Sequence, residues 1–225
     1  MSYIASWSGG KDSCLACCTA MRSGYNISHL VNFTSKEYGR VSFHGTETGL
    51  IQLQAKSIVK NLYQRETTKD GYEREFKEAI CSLVPEGIEG MVFGDIYLQE
   101  HRDWTERVCS EIGIEAVEPL WGREPQEIMS EFIDVGFEAV VVAGQSEAID
   151  AEWIGHRVDR DFVEYLERKG ICPCGENGEF HTLVIDGPIF HKRIEIIEAQ
   201  TIHRDNHWFL DTRRYQFTEK ESIPK

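Results

Sequence analysis

Hydrophobic and polar positions alternate with two different periods along this chain. Tyr3–Trp7 is a short β-prone apolar run that stops at Ser8-Gly9-Gly10. Ser13–Arg22 has helical composition and ends at Gly24, a C-terminal cap residue. Ile27–Phe33 reads as the second strand. Leu50, Leu53, Ile58 and Leu62 recur near helical spacing, which predicts a helix over Leu50–Leu62. Tyr63–Thr68 reads as a more polar third strand. Asp70 is placed to cap a helix that runs to Val84, before Pro85. Strand, helix and strand follow at Met91–Gly94, Gln99–Ile112 and Ala116–Leu120, then a helix over Pro125–Val135 closed by Gly136. Ala139–Ala143 is all apolar, the pattern of a parallel strand buried on both faces.

Strands alternating with helices imply a parallel sheet covered on both sides. After Ser146 the pattern changes. Residues 161–169 look helical, but Thr182–Ile185, Arg193–Gln200 and Trp208–Phe217 look like strands with no helices between them. The expectation is an α/β domain over 1–122 and a smaller α+β domain over 123–225.

Charge narrows the function classes. Of 225 residues, 24 are Lys or Arg and 38 are Asp or Glu, for a net charge of −14. Wrapping nucleic acid needs clustered cations, so a nucleic-acid partner is not expected. No apolar run is long enough for a membrane span, and the start of the chain lacks the features of an export signal, so a cytoplasmic protein without membrane contact is expected. Seven Cys, an odd number, fit reduced thiols. Cys14, Cys17 and Cys18 share one helix face and read as packing. Cys172-Pro173-Cys174 is too tight for the usual zinc spacing, and no metal site is assigned to protein ligands alone. Residues 171–225 carry a net of only −2 and four of the eight His, which suggests a distinct functional surface there.

Ser8-Gly9-Gly10-Lys11-Asp12-Ser13 carries the most chemistry. It lies between a strand and a helix, where open α/β sheets bind ligands. The Gly residues allow close approach of backbone to an anion. The helix start offers N–H groups and a favourable dipole. Ser8 and Ser13 add hydroxyls, and Lys11 adds a point charge. This is an oligophosphate cradle, but it matches neither a Walker A loop nor Gly-x-Gly-x-x-Gly. Asp95, in Gly94-Asp95-Ile96 at the end of the fourth strand, falls over the same crevice if the strand order is 3-2-1-4-5. There it can hold Mg²⁺ or orient a nucleotide, or serve only as a turn residue. The segment from Cys174 to Phe190 gathers Glu176, Glu179, His181, Thr182 and Asp186 around a Gly-rich turn and one strand. Carboxylates there can bind ammonium, act as a base or hold Mg²⁺; a polar hairpin edge is the alternative.

The loop Ser8–Ser13 resembles the SGGKDS pyrophosphate loop of the ATP pyrophosphatases. With Cys174–Phe190, Gly94-Asp95-Ile96 and Glu118–Gly122, the chain resembles the diphthine–ammonia ligase family. That resemblance implies an adenine nucleotide alpha hydrolase-like (PP-loop) parallel sheet with helices on both faces. It implies ATP and Mg²⁺, and an acyl-adenylate that ammonia resolves with release of AMP and pyrophosphate. The implied acceptor is the carboxylate of diphthine on elongation factor 2. Lys11, Asp12, Asp95 and Glu179 are the implied catalytic residues. Ser8 to Ser13, His44, Gly94 and Asp95 bind ATP; Glu176, Glu179, His181, Thr182 and Asp186 bind the acceptor. Substitutions at Glu179 and Thr182 are then expected to spare ATP affinity. The usual Glu-Gly-Gly-Glu-Tyr/Phe-Glu-Thr pattern is altered here: Asn177 replaces a Gly and His181 a carboxylate, so another acceptor stays open. So do a homo-oligomer and an adenine-nucleotide sensor. A tRNA-thiolating enzyme working through Cys14 and Cys17 is a third reading, opposed by the charge. Arg102 is weighed as a phosphate ligand against a salt-bridged helix start, and Trp121 as packing.

Overall fold

The computed structural model describes residues 1–41 and 45–220. Five strands, β1 (Ser2–Ser6), β2 (Ile27–Ser35), β3 (Asn61–Thr67), β4 (Ile88–Val92) and β5 (Glu115–Val117), form a parallel sheet in the order β3-β2-β1-β4-β5. The expected order is therefore observed. Crossover helices are α1 (Lys11–Arg22), α2 (Thr48–Ser57), α3 (Tyr72–Leu83) and α4 (Gln99–Ile112).

Successive strand residues serve opposite faces, as the pleat requires. Ile4, Val31 and Met91 pack with Phe76, Ile80 and Val108 of α3 and α4. Their neighbours Ala5, Leu30 and Val92 pack with Leu15 and Cys18 of α1 and Ile51 of α2. The second core continues without a break into the C-terminal half, through Phe132, Val141, Phe180 and Leu183. Cys14, Cys17 and Cys18 all lie in it, as their packing role requires.

After α5 (Pro125–Asp134), β6 (Glu138–Gln145) enters a second sheet. It is followed by α6 (Arg160–Lys169), β7 (Phe180–Asp186), β8 (Arg193–Arg204) and β9 (His207–Thr218). The sheet order is β7-β6-β9-β8. Here the expectation for Ala139–Ala143 fails: β6 runs antiparallel to both β7 and β9. Its residues 139–143 are nonetheless all buried, and burial on both faces produces the same apolar run in either kind of sheet.

Two other expectations need correction. The second helix stops at Ser57, because Val59 turns to φ 53°, and Leu62 belongs to the next strand, which starts at Asn61. Asp70 does not cap α3. Gly71 holds that position, and the Glu75 carboxylate accepts a hydrogen bond from the Thr68 N–H at 2.7 Å.

Candidate active site

The segment between β1 and α1 leaves the centre of the parallel sheet and immediately contacts the second sheet. Gly9, at φ +81°, makes the turn. Its carbonyl accepts from the Val184 N–H of β7 at 2.9 Å. The Lys11 N–H, in the first turn of α1, donates to Thr182 Oγ1 at 3.0 Å. Ser13 Oγ donates back to the Gly10 carbonyl at 3.0 Å, and Ser8 and Ser13 hydroxyls lie 3.2 Å apart. The Gly10 N–H points to Ser8 Oγ at 3.2 Å. Strand β7 is thus part of the loop's framework, 171 residues away in sequence.

A cleft of about 610 Å³ opens beside this loop, lined by Ser8, Lys11, Asp12, Ser13, Gly94, Asp95, His101 and residues 174–178 and 180–182. Gly94 belongs here for a steric reason: a Cβ on it would lie 2.9 Å from the Asp12 backbone carbon. The end of β4 is pressed onto the first turn of α1, which brings Asp95 next to the helix start.

Lys11 is buried, with only 3% exposure. Its Nζ donates to Asp12 Oδ2 at 2.8 Å and to the Cys174 carbonyl, and it sits 5.0 Å from the centre of the Phe180 ring. Burial alone pulls an ammonium pKa down; Asp12 and the neighbouring groups outweigh it, so Lys11 stays charged. Asp12 is pushed up, by burial against the opposing pull of Lys11. Its second oxygen, Oδ1, is buried with no hydrogen-bond partner among the described residues. Asp95 Oδ1 meets His101 Nδ1 at 3.1 Å, and that bond raises the His101 pKa.

Glu176 is pushed up to about 7, by burial first and then by the negative charge of Asp12. The sign follows from linkage: the folded chain holds this proton more tightly than the unfolded one, so stability falls as pH rises from about 4.5 through about 7. Glu176→Gln is therefore expected to melt higher than the parent above pH 7 and equally at pH 5. Thermal melts at the two pH values check this; an equal difference at both would remove Glu176 as the titrating group. His181 also lines the cleft. Burial, then Lys11 and His207, pull its pKa down to about 4, so it is a neutral imidazole at pH 7.

Two expected acceptor residues are not in the cleft. Glu179 turns its carboxylate onto Asn177, accepting from its backbone N–H at 3.1 Å and from Nδ2 at 3.0 Å. Asp186, at the far end of β7, pairs with Lys220 at 2.8 Å and accepts from the Gly187 N–H. Both are corrections: a carboxylate near a Gly-rich turn stabilises that turn as readily as it meets a ligand. His44 lies outside the described residues. Arg102 pairs with Glu106 and Glu118 and lies over Trp121, so it is the salt-bridged helix start. Burial pushes the Cys17 thiol up to about 12 and Cys14 well above its usual value, which opposes thiolate chemistry there.

A second hollow, of about 520 Å³, was not anticipated. It is lined by Phe33, Tyr72, Phe93 and Trp104, with Asn32 and the backbone end of β1. It shares Ser6, Ser8, Asp95 and His101 with the first, so the two hollows adjoin along that wall. One end is aromatic and the other carries amides, hydroxyls and charge.

Comparison with known proteins identifies the family. The diphthamide synthase N-terminal domain matches residues 1–116, and the diphthamide synthase C-terminal domain matches residues 124–218. The chain belongs to the diphthamide synthase family. Among its relatives, the diphthine–ammonia ligase of Bos taurus is 25% identical, with 97% of this chain and 91% of that protein covered. The Danio rerio diphthine–ammonia ligase is 24% identical, covering 100% and 98%. The Schizosaccharomyces pombe ligase is also 24% identical; the match covers 92% of this chain but only 38% of that longer protein.

Because Thr182 Oγ1 accepts the Lys11 N–H in the first turn of α1, Thr182→Val is expected to destabilise the fold by about 1 kcal/mol, the usual cost of a lost acceptor at a helix start, and to weaken ATP binding through the displaced Lys11 backbone. Glu179→Gln should leave ATP affinity unchanged. Calorimetric titration of both variants checks the pair, and the reverse pattern would return Glu179 to the site.

Proposed function

We infer that this chain is an ATP-dependent carbon–nitrogen ligase that converts the carboxylate of diphthine on elongation factor 2 to the amide, using ammonia. The observation that carries the nucleotide part is the adjoining of two hollows: an aromatic one suited to a base borders the loop suited to phosphates. The family membership carries the acceptor.

Adenine occupies the hollow lined by Phe33, Tyr72, Phe93 and Trp104. The oligophosphate runs past Asp95 to the Gly10 N–H, the Ser8 and Ser13 hydroxyls and Lys11. These groups are in place before reaction, so they stabilise developing charge without reorganising. The acceptor carboxylate attacks the α-phosphorus, the bond to the β-phosphate breaks, and pyrophosphate leaves on the loop. Ammonia then attacks the acyl carbon and AMP departs. Ammonium must first lose a proton, and Glu176, titrating near neutrality inside the cleft, is the carboxylate placed to take it.

The residues also fit Mg²⁺. Asp12 Oδ1 is a buried carboxylate oxygen without a partner, and Asp95 lines the same space. Asp12 and Asp95 would hold the ion beside the phosphates. Mg²⁺ would neutralise phosphate charge. Among the described residues no helix is long and apolar enough to cross a membrane.

Phosphorus NMR of ATP incubated with the protein, Mg²⁺, ammonium and diphthine-bearing elongation factor 2 tests the reading. AMP and pyrophosphate, dependent on both co-substrates, are expected. ADP and phosphate, or binding with no turnover under any acceptor, would overturn it.

A further inference from the structure

We propose that Gln54 is the positioning residue of the phosphate loop: it fixes the Gly9–Gly10 peptide plane and thereby aims the Gly10 N–H at the ligand. The proposal rests on the reading of Ser8–Ser13 as a phosphate cradle.

Gln54 lies on α2, outside every motif, and is completely buried. A buried amide in an apolar core is costly unless all its polar groups are matched. Here they are. Trp7 Nε1 donates to Gln54 Oε1 at 2.9 Å. Gln54 Nε2 donates to the Gly9 carbonyl at 2.9 Å and to the Val184 carbonyl at 2.7 Å. The orientation of the amide is fixed by its partners. An indole N–H can only donate and two carbonyls can only accept, so no flipped amide satisfies the site. One side chain therefore ties together the end of β1, the loop and β7.

The consequence for the ligand follows from peptide geometry. The bond between Gly9 and Gly10 is planar and trans, so its C=O and N–H point in opposite directions. With the Gly9 carbonyl held by Gln54 and by the Val184 N–H, the Gly10 N–H must point the other way. It does so, toward Ser8 Oγ on the cleft wall. Gly9 is free to adopt φ +81° but equally free to leave it. Gln54 supplies the constraint that the glycine lacks. Its chemistry is demanding: a carboxylate in its place would set negative oxygen against two carbonyls, and an apolar side chain would release the plane.

The test compares three ligands on the full chain. ATP and pyrophosphate report the loop, whereas adenosine reports the aromatic end alone. Gln54→Met keeps the volume and removes all three bonds. It is expected to weaken ATP and pyrophosphate binding about tenfold while leaving adenosine affinity unchanged. Loss of all three affinities in parallel, or of none, would overturn the proposal. Gln54→Glu gives a second arm. Its neutral carboxyl can accept from Trp7 and donate to one carbonyl, so its pyrophosphate affinity should recover toward the parent as pH is lowered. No such recovery relative to the parent is expected for Gln54→Met, and recovery in both or in neither contradicts the mechanism. A parent chain that binds adenosine but neither ATP nor pyrophosphate would instead remove the phosphate-cradle reading.

Discussion

Gly9→Ala is expected to unfold about 2–5 kcal/mol more easily than the parent chain and to lose most of its ATP affinity. Two costs combine. A Cβ at φ +81° is strained by about 1–2 kcal/mol. That Cβ would also lie 2.5 Å from both Gln54 Oε1 and Ile51 Cδ1, and overpacking of a closed core costs about 1–3 kcal/mol. Relief requires moving Gln54, which frees the peptide plane that faces the phosphates. Gly24 provides the control. It has φ +92°, but nothing lies within 4 Å of its added Cβ. Gly24→Ala should therefore show only the backbone cost and bind ATP normally. Urea unfolding and ATP titration of the two variants separate strain from space. Equal destabilisation would mean that the close packing around the loop has no energetic weight.

Lys11→Ala should act on both stability and binding. The ammonium is buried between Asp12, the Cys174 carbonyl and the Phe180 face. Removing one member of a buried pair leaves the other charge uncompensated, and such truncations cost about 3–5 kcal/mol. Asp12 keeps 25% side-chain exposure, which places the cost near the lower end, about 3 kcal/mol. Loss of the only cation in the cradle should weaken ATP by tenfold or more, since charged hydrogen bonds contribute about 1.5–3 kcal/mol. The double variant Lys11→Ala with Asp12→Asn should recover part of the stability and none of the affinity. A folded Lys11→Ala chain with unchanged ATP affinity would take Lys11 out of the phosphate site.

The N-terminal half was legible because its local signals agree. Each strand ends in a break, most of the helices have the right period, and Ser8–Ser13 falls at the one crevice that the order β3-β2-β1-β4-β5 creates. Strand β6 was misassigned because an apolar run reports burial and not direction. Glu179 and Asp186 were placed at the site because sequence shows charge but not orientation; Asn177, Arg193 and Lys220 claim those carboxylates in the fold. Thr182 was read as an acceptor residue, yet its hydroxyl meets the backbone of Lys11. Gln54 and Asn32 gave no signal, since a polar residue inside a helix or strand pattern looks like a surface position until its partners are known. Asn32 donates to the Trp7 carbonyl at 2.7 Å from the middle of β2. The aromatic hollow draws Phe33, Tyr72, Phe93 and Trp104 from four separate segments, and no spacing in the sequence links them.

Adenylation of the acceptor carboxylate is the central chemical claim, and its oxygens record it. Diphthine labelled with heavy oxygen in the carboxylate is incubated with the protein, ATP, Mg²⁺ and ammonium, and the nucleotide product is weighed by mass spectrometry. AMP carrying one heavy oxygen from the acceptor, in equal amount to the amide formed, is the expected product. Unlabelled AMP, or a label that appears only in inorganic phosphate, would contradict it.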